Sequence, residues 1–195
     1  MSTHPDVLDA LIRAHARELK LPTIGRRYRD LAAEATRTQQ TATAYLAALL
    51  EAEIAERAER RERRRLVEAR FPLVKRLDDF RFDDNPKIPV ATIAALADGG
   101  YLADRESIIL IGDSGTGKTH LATALGICAC TQGRRVRFTT LAALANELQE
   151  AESRRELNRV VQRYARIELL ILDLCRLRDY AEQRSRGLAG AGRTA

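Results

Sequence analysis

The stretch from Ile108 to Ala122, IILIGDSGTGKTHLA, constrains the fold of this chain more than any other. Four aliphatic residues, Ile108–Ile111, predict a short buried strand, and the glycine-rich turn Gly112–Gly117 follows it. From Lys118 onward apolar side chains recur at helical spacing, which predicts a helix. The order of strand, Gly-x-x-x-x-Gly-Lys-Thr loop and helix is that of a phosphate-binding P-loop.

The chemistry of a nucleoside triphosphate explains why these residue types occur in this order. Its phosphate oxygens need several donors at once, and glycines let backbone N–H groups approach them closely. The start of a helix adds unpaired N–H groups and the positive end of its dipole. We expect Lys118 to contact the β- and γ-phosphates and the Thr119 hydroxyl to ligate Mg²⁺. The predicted nucleotide-binding residues are Gly112, Asp113, Ser114, Gly115, Thr116, Gly117, Lys118, Thr119 and His120.

A second apolar run, Leu169-Leu-Ile-Leu-Asp173, ends in a carboxylate. It predicts the central strand of a parallel sheet covered on both faces. Between the loop and this run lie a predicted strand at 135–139 and predicted helices at 141–150 and 154–166, so strands and helices alternate in an α/β pattern. An Asp at this place after a P-loop is typical of the Walker B element, which predicts Asp173 as a second Mg²⁺ residue beside Thr119.

The first part of the chain is predicted to be helical, at 6–20, 24–35 and 44–70. The end of the third helix carries six arginines that are candidates for DNA binding: Arg57, Arg60, Arg61, Arg63, Arg64 and Arg65. Glutamates four residues before several of them support a solvated helix with internal ion pairs. The other interpretation is contact with DNA phosphates, and without interleaved aromatic residues this contact involves the backbone alone. Both interpretations stay open.

Composition narrows the class of protein. The 195 residues carry a formal net charge of +6, which favours a polyanionic partner. Three cysteines without a disulfide framework fit a reducing cytoplasm. The polar amino terminus and the lack of a long apolar run predict no membrane association and a cytoplasmic location.

Several motifs together resemble one family. Residues 115–122, the 135–138 strand, Asn146-Glu-Leu148 and the 169–173 run look like IstB-type helper ATPases of bacterial transposition, which are related to DnaC-type helicase loaders and share the AAA+ fold. The Arg-rich helix and Arg70-Phe-Pro72 resemble the amino-terminal half of the same family. The resemblance implies ATP and Mg²⁺ as cofactors, a transposase as partner, double-stranded DNA, and a homo-oligomer.

The implied fold class is α/β: an incomplete P-loop NTPase (AAA+) parallel sheet with an all-helical amino-terminal domain. The expected organisation is a helical domain at 1–70, a linker and the start of the core at 71–100, a partial ATP-binding core at 101–173, and a disordered tail at 174–195. The turn-rich composition of residues 73–90 places the linker there.

The chain departs from the family after Asp173. Leu174 stands where the family has the Glu that polarises the attacking water, so no catalytic residue is assigned and hydrolysis is predicted to be impaired. The continuation is rich in Arg, Gly and Ala, and we hypothesise a frameshifted or truncated gene copy. In the family, the next strand inserts between the P-loop and Walker B strands. Without it, these two strands either keep unpaired edges or pair directly.

The main functional prediction is an ATP-binding helper of transposition. The alternative is a DnaC-like adaptor that loads a replicative helicase, and the partner protein distinguishes the two. A small-molecule kinase is a third interpretation, which the charged helical extension and the lack of an acceptor-site pattern disfavour.

Overall fold

A computed structural model describes residues 5–174 of the chain. The contacts divide it into two compact units, one ending at Arg61 and one beginning at Glu62. Both are largely helical, and a short parallel sheet lies in the second. None of the helices within residues 5–174 has both the length and the apolar character needed to cross a membrane.

The helices of the first unit lie close to the ranges predicted from hydrophobic periodicity. The second begins earlier than predicted, at Pro22, because proline is tolerated in a first helical turn, where its missing N–H has no intrahelical partner to lose. The elements are α1 (Pro5–Glu18), α2 (Pro22–Arg37) and α3 (Ala42–Ala69), the last of which continues into the second unit.

A buried carboxylate joins α2 and α3 within the first unit. Glu53 is 3% exposed and accepts hydrogen bonds from the backbone N–H groups of Thr23 (2.7 Å) and Ile24 (3.1 Å). The residue before α2, Leu21, provides no side-chain cap. Glu53 therefore supplies the cap that the local sequence lacks, from a position far along the chain.

The second unit contains short helices around a two-stranded sheet. Thr140 caps the helix that follows the first strand by accepting a hydrogen bond from the Ala143 N–H, at 3.1 Å. The elements are a 3₁₀ turn (Leu77–Asp79), α4 (Val90–Ala97), α5 (Gly100–Asp104), α6 (Lys118–Thr131), β1 (Val136–Thr140), α7 (Leu141–Ser153), α8 (Leu157–Tyr164) and β2 (Leu169–Asp173).

The two strands pair in parallel, from Val136 opposite Leu169 to Thr140 opposite Asp173. Helix α6 packs closely on this sheet at Gly126. A Cβ atom at that position would lie 2.7 Å from Ile171 Cδ1 and 2.8 Å from Phe71 Cε1. A side chain at this position would therefore have to displace Ile171 or the Phe71 ring, and glycine avoids that cost.

The predicted strand at Ile108–Ile111 is wrong. These residues have no regular secondary structure, and the side chains of Ile109 and Ile111 are 79% and 90% exposed. A strand needs a neighbour for its backbone hydrogen bonds, and within residues 5–174 β2 pairs with β1 alone. The P-loop and Walker B segments therefore do not pair directly either.

The position predicted for the second apolar run also needs correction. Its bounds, Leu169–Asp173, are as predicted, but among the described residues β2 lies at an edge of the sheet and not at its centre. Leu170 and Leu172 are 39% and 42% exposed, so the strand is not covered on both faces. The apolar run correctly predicts that these residues form a strand. Which segments pair with that strand depends on the rest of the chain.

Helix α6 is the centre of the core in the second unit. One cluster of buried side chains combines Phe80, Ile93 and Leu121, and a second combines Ala129, Cys130 and Val136. Residues of the predicted linker thus pack on α6 through Phe80. The predicted tail from residue 175 onward lies outside the described residues.

Candidate nucleotide-binding site

The glycine-rich loop leads directly into α6, which begins at Lys118 as predicted. Gly117 takes the N-cap position with a left-handed φ of 85°, and a Cβ there would lie 2.6 Å from Phe80 Cε2. Only glycine meets both conditions without strain. The helix therefore begins with its first N–H groups directly behind the loop, an arrangement suited to anions.

The ammonium group of Lys118 lies over the loop. Lys118 Nζ donates hydrogen bonds to the carbonyl oxygens of Gly112 (2.7 Å) and Asp113 (2.6 Å), and it lies 3.4 Å from Thr116 Oγ1. Thr116 Oγ1 in turn donates to the Asp113 carbonyl oxygen at 2.8 Å. These contacts hold a positive charge at the concave side of the glycine turn.

The two residues predicted for Mg²⁺ meet in the structure. Thr119 Oγ1 donates a hydrogen bond to Asp173 Oδ2 at 3.0 Å, across 54 positions of sequence. Thr119 lies in the first turn of α6 and Asp173 at the carboxyl end of β2. The P-loop helix and the second strand thus bring a hydroxyl and a carboxylate together, one residue from Lys118.

The oxygens of Thr119 and Asp173 are of the hard type that Mg²⁺ prefers. Within residues 5–174 no group of three or more His, Cys, Asp or Glu side chains could hold a metal ion. A magnesium ion here would take its remaining ligands from phosphate oxygens and water, as is usual for Mg²⁺ bound with a nucleotide. The donor set therefore fits an ion that arrives with the nucleotide.

Leu174 follows Asp173 directly, and its side chain is 57% exposed. An aliphatic side chain can neither accept a proton from water nor orient it by a hydrogen bond. The residue that directly follows β2 therefore offers no general base.

His120 faces the segment before the loop. Its Nε2 atom lies 2.9 Å from the Arg76 carbonyl oxygen, and its ring packs edge-on against Phe80 with centroids 5.1 Å apart. Phe80, which also contacts Gly117, was not among the sequence candidates. Its position in a turn-rich segment gave no signal, because the contact depends on how residues 76–82 fold back onto α6.

In the first unit, two of the candidate arginines form internal contacts. Arg57 Nε donates to Glu53 Oε1 at 2.8 Å, and Arg60 Nη2 donates to Glu56 Oε1 at 3.2 Å. These are the ion pairs at four-residue spacing that the solvated-helix interpretation predicts. Arg61 is exposed and has no ion pair with a residue of the described range.

In the second unit, Arg65 contacts the backbone of another helix. Its Nε atom donates to the Cys130 carbonyl oxygen at 2.8 Å, near the end of α6. Arg64 pairs with Glu68 at 3.6 Å but keeps a side chain that is 74% exposed. Arg63 is exposed and also interacts with other groups. Some of the six arginines therefore make contacts within the protein, as Arg57, Arg60 and Arg65 do. Others, such as Arg61 and Arg64, expose their positive charge to solvent.

Comparison of the sequence with known proteins finds matches in one family. Residues 14–188 match the family model described as IstB-like ATP binding protein, so the match extends beyond Asp173. An insertion sequence ATP-binding protein of Sinorhizobium fredii is 37% identical over 173 residues, which cover 88% of this chain and 58% of that protein. The IS21 ATP-binding protein of Pseudomonas aeruginosa is 34% identical, covering 80% of this chain and 58% of its own length.

A third relative, an insertion sequence ATP-binding protein of Mycobacterium tuberculosis, is 36% identical, and the match covers 70% of this chain and 54% of that protein. The chain thus spans less than two thirds of the length of these three relatives.

Proposed function

Because this chain belongs to the family of IstB-like ATP-binding proteins, we propose that it is an ATP-binding helper protein of DNA transposition. The observation that carries the proposal is the contact of Thr119 with Asp173 beside Lys118, at the start of α6. The contact joins the two segments that carry the motif residues for phosphate and Mg²⁺. The insertion-sequence relatives favour this role over that of a helicase loader.

The phosphates would lie in the turn between Gly112 and Lys118. Lys118 Nζ would exchange its two backbone carbonyl partners for phosphate oxygens, and N–H groups at the start of α6 would donate to the same anion. Thr119 and Asp173 would supply two oxygen ligands of the Mg²⁺ ion. The metal in turn neutralises phosphate charge when it is bound.

Nucleotide binding is tested with the purified chain by calorimetric titration with Mg·ATP. Lys118→Ala should weaken binding by about tenfold or more, because a hydrogen bond to a charged group is worth about 1.5–3 kcal/mol. Lys87→Ala, which removes an exposed lysine outside the loop, should leave the affinity unchanged. Equal affinities for the wild-type chain and Lys118→Ala would refute the assignment of the loop.

We further propose that the bound nucleotide is turned over slowly, because Leu174 cannot act as a base. Steady-state phosphate release should stay at the level of the Lys118→Ala variant. A turnover that Lys118→Ala abolishes would contradict this. A Leu174→Glu variant tests the same point from the other direction, because a carboxylate beside Asp173 would restore a proton acceptor.

DNA contact is proposed for the solvent-facing arginines Arg61, Arg63 and Arg64, which lie within about one turn of α3. Their positive charges would release counterions from the DNA backbone, so that affinity would fall steeply with salt. Arg61→Ala should reduce the slope of log affinity against log salt by about one. Arg13→Ala, on α1, is the control. An unchanged slope in the Arg61, Arg63 and Arg64 triple variant would exclude this surface.

The partner is proposed to be a transposase, and ATP-dependent homo-oligomerisation on DNA is proposed with it. Tagged chain should retain the transposase encoded in the same insertion sequence, and retention should require Mg·ATP. Capture of a replicative helicase in its place would favour the loader alternative. Sedimentation with and without nucleotide and DNA measures the oligomer.

A further inference from the structure

The last two turns of α3 pack against the rest of the second unit through one side of the helix. Ala69 is fully buried, and Leu66 packs against the same cluster of buried side chains. Glu62 and Arg65 are partly buried. These four residues recur at helical spacing, so they lie on a common side of α3. We call them the docking face of α3.

Two polar contacts fix the docking face to the end of α6. Arg65 Nε donates a hydrogen bond to the Cys130 carbonyl oxygen at 2.8 Å. Thr131 Oγ1 donates to Glu62 Oε1 at 3.2 Å. The guanidinium group of Arg65 thus lies at the carboxyl end of α6, where the helix dipole is negative. Arg65 therefore joins α3 to the helix that begins at the P-loop.

The opposite side of the same two turns faces solvent. Arg63 and Arg64 are exposed, and Val67 is 73% exposed. Successive residues of a helix are rotated by about 100°, so Arg64 points in a different direction from Arg65. The Arg65 side chain is engaged within the protein, whereas Arg63 and Arg64 present their charges outward.

From this arrangement we infer that Arg65 is a positioning residue for the DNA contact and does not bind DNA itself. It holds the last two turns of α3 on α6, so that Arg63 and Arg64 meet the phosphates from a helix that is already in place. A preorganised segment loses less conformational freedom on binding than a loose one, and this raises its affinity. The inference rests on the DNA contact proposed above for Arg63 and Arg64, and it gives Arg65 a different role from the one predicted from the sequence.

Salt-dependent binding separates positioning from direct contact. The full chain is titrated onto labelled double-stranded DNA over a range of salt concentrations. Arg65→Met keeps the aliphatic stem but loses the donor, so it should weaken binding by about tenfold with an unchanged slope of log affinity against log salt. Replacing an arginine that contacts a phosphate lowers the slope by about one. A slope lowered in this way by Arg65→Met, or an unchanged affinity, would overturn the inference.

Arg134→Met is the matched control. Arg134 is an arginine of the same unit, and its Nη1 atom donates to Glu168 Oε1, just before β2, at 3.0 Å. Its replacement should leave both the DNA affinity and the salt slope unchanged. Equal losses in Arg134→Met and Arg65→Met would show that a general loss of stability is the cause, and the inference would fail. Melting curves verify that both variants fold.

A double-mutant cycle determines whether Arg65 acts through its neighbours. In a chain that carries Arg63→Ala and Arg64→Ala, Arg65→Met should cause little further loss of DNA affinity, because the charges that Arg65 positions are gone. Additive losses would mean that Arg65 acts independently of these two arginines, which contradicts the inference. No DNA binding by the folded wild-type chain would overturn the proposed DNA contact together with it.

The Cys130 thiol reports on the contact in the bound state. Cys130 is fully buried, so alkylation by iodoacetamide, read at this residue by mass spectrometry, should be slow in the wild-type chain. Bound DNA should leave it slow, because Arg65 keeps its partner on α6. Faster alkylation with DNA would show that DNA draws Arg65 away, and this outcome also overturns the inference. Calorimetry with Mg·ATP on Arg65→Met should give the wild-type affinity, so a failure here is distinguishable from a failure of the nucleotide site.

Discussion

Replacing Glu53 with alanine is expected to destabilise the first unit by about 3 kcal/mol. The Glu53 carboxylate is 3% exposed and accepts hydrogen bonds from the Thr23 and Ile24 N–H groups and from Arg57 Nε. It thus satisfies two donors at the start of α2 and places a negative charge at the positive end of that helix.

The magnitude follows from what the substitution leaves behind. Thr23 is fully buried, so its N–H would lose its partner without gaining water. Each buried unsatisfied donor costs about 1–3 kcal/mol. The Arg57 side chain is 39% exposed and can be hydrated, so it adds little. Glu53→Gln keeps an accepting oxygen but loses the charge, and we expect about half the effect of Glu53→Ala.

Amide hydrogen exchange at Thr23 and Ile24 measures the effect locally. A loss of about 3 kcal/mol corresponds to exchange roughly 100-fold faster, since 1.4 kcal/mol is tenfold. Urea unfolding followed by circular dichroism gives the free energy of unfolding for comparison. Glu51→Gln, an exposed glutamate on the same helix, should change stability by less than about 0.5 kcal/mol.

The pH dependence gives an independent check on the charge. Burial acts to raise the pKa of Glu53, but hydrogen bonds from Arg57, Ile24 and Thr23 together outweigh it and hold the pKa below its usual value. The stabilisation is therefore complete above the unfolded pKa, near about 4.3, and is lost as the pH falls through the folded pKa. Glu53→Gln should lack this acid dependence. Exchange rates in Glu53→Ala equal to those in Glu51→Gln would refute the capping role.

Three further changes probe the second unit. Gly126→Ala should destabilise it by about 1–3 kcal/mol in urea unfolding, because the added methyl would overlap the Ile171 side chain. Gly117→Ala should weaken Mg·ATP binding by about tenfold or more in calorimetry, because the left-handed backbone and the Phe80 ring both exclude a Cβ. Burial raises the pKa of the Cys130 thiol to about 11, so iodoacetamide at pH 8 should alkylate it slowly until the chain is unfolded.

The two glycine substitutions each have a control within the chain. A Cβ at Gly100 meets nothing within 4 Å, so Gly100→Ala should leave the stability of the second unit nearly unchanged. Gly115 has the same left-handed backbone as Gly117, but a Cβ at Gly115 would meet no neighbouring atom. Gly115→Ala therefore separates the effect of backbone strain from that of the clash with Phe80. Equal effects of Gly126→Ala and Gly100→Ala, or fast alkylation of native Cys130, would show that the described packing is wrong.

The local pattern of the sequence determined the elements whose structure depends on near neighbours. The helices of the first unit follow from apolar periodicity, and the start of α6 follows from the glycine loop and Lys118. The bounds of β2 follow from its apolar run. In each case the relevant interactions lie within a few residues along the chain, so that spacing and residue type carry the information.

Tertiary structure decided the features that need a distant partner. Ile108–Ile111 has the composition of a strand but takes no strand structure, because ladder hydrogen bonds come from another segment that the described residues do not provide. The cap of α2 by Glu53 and the contact of Phe80 with Gly117 are equally non-local. The sequence by itself therefore determined the P-loop, the helices and the bounds of β2. Packing between distant segments decided which strands pair and how α2 is capped.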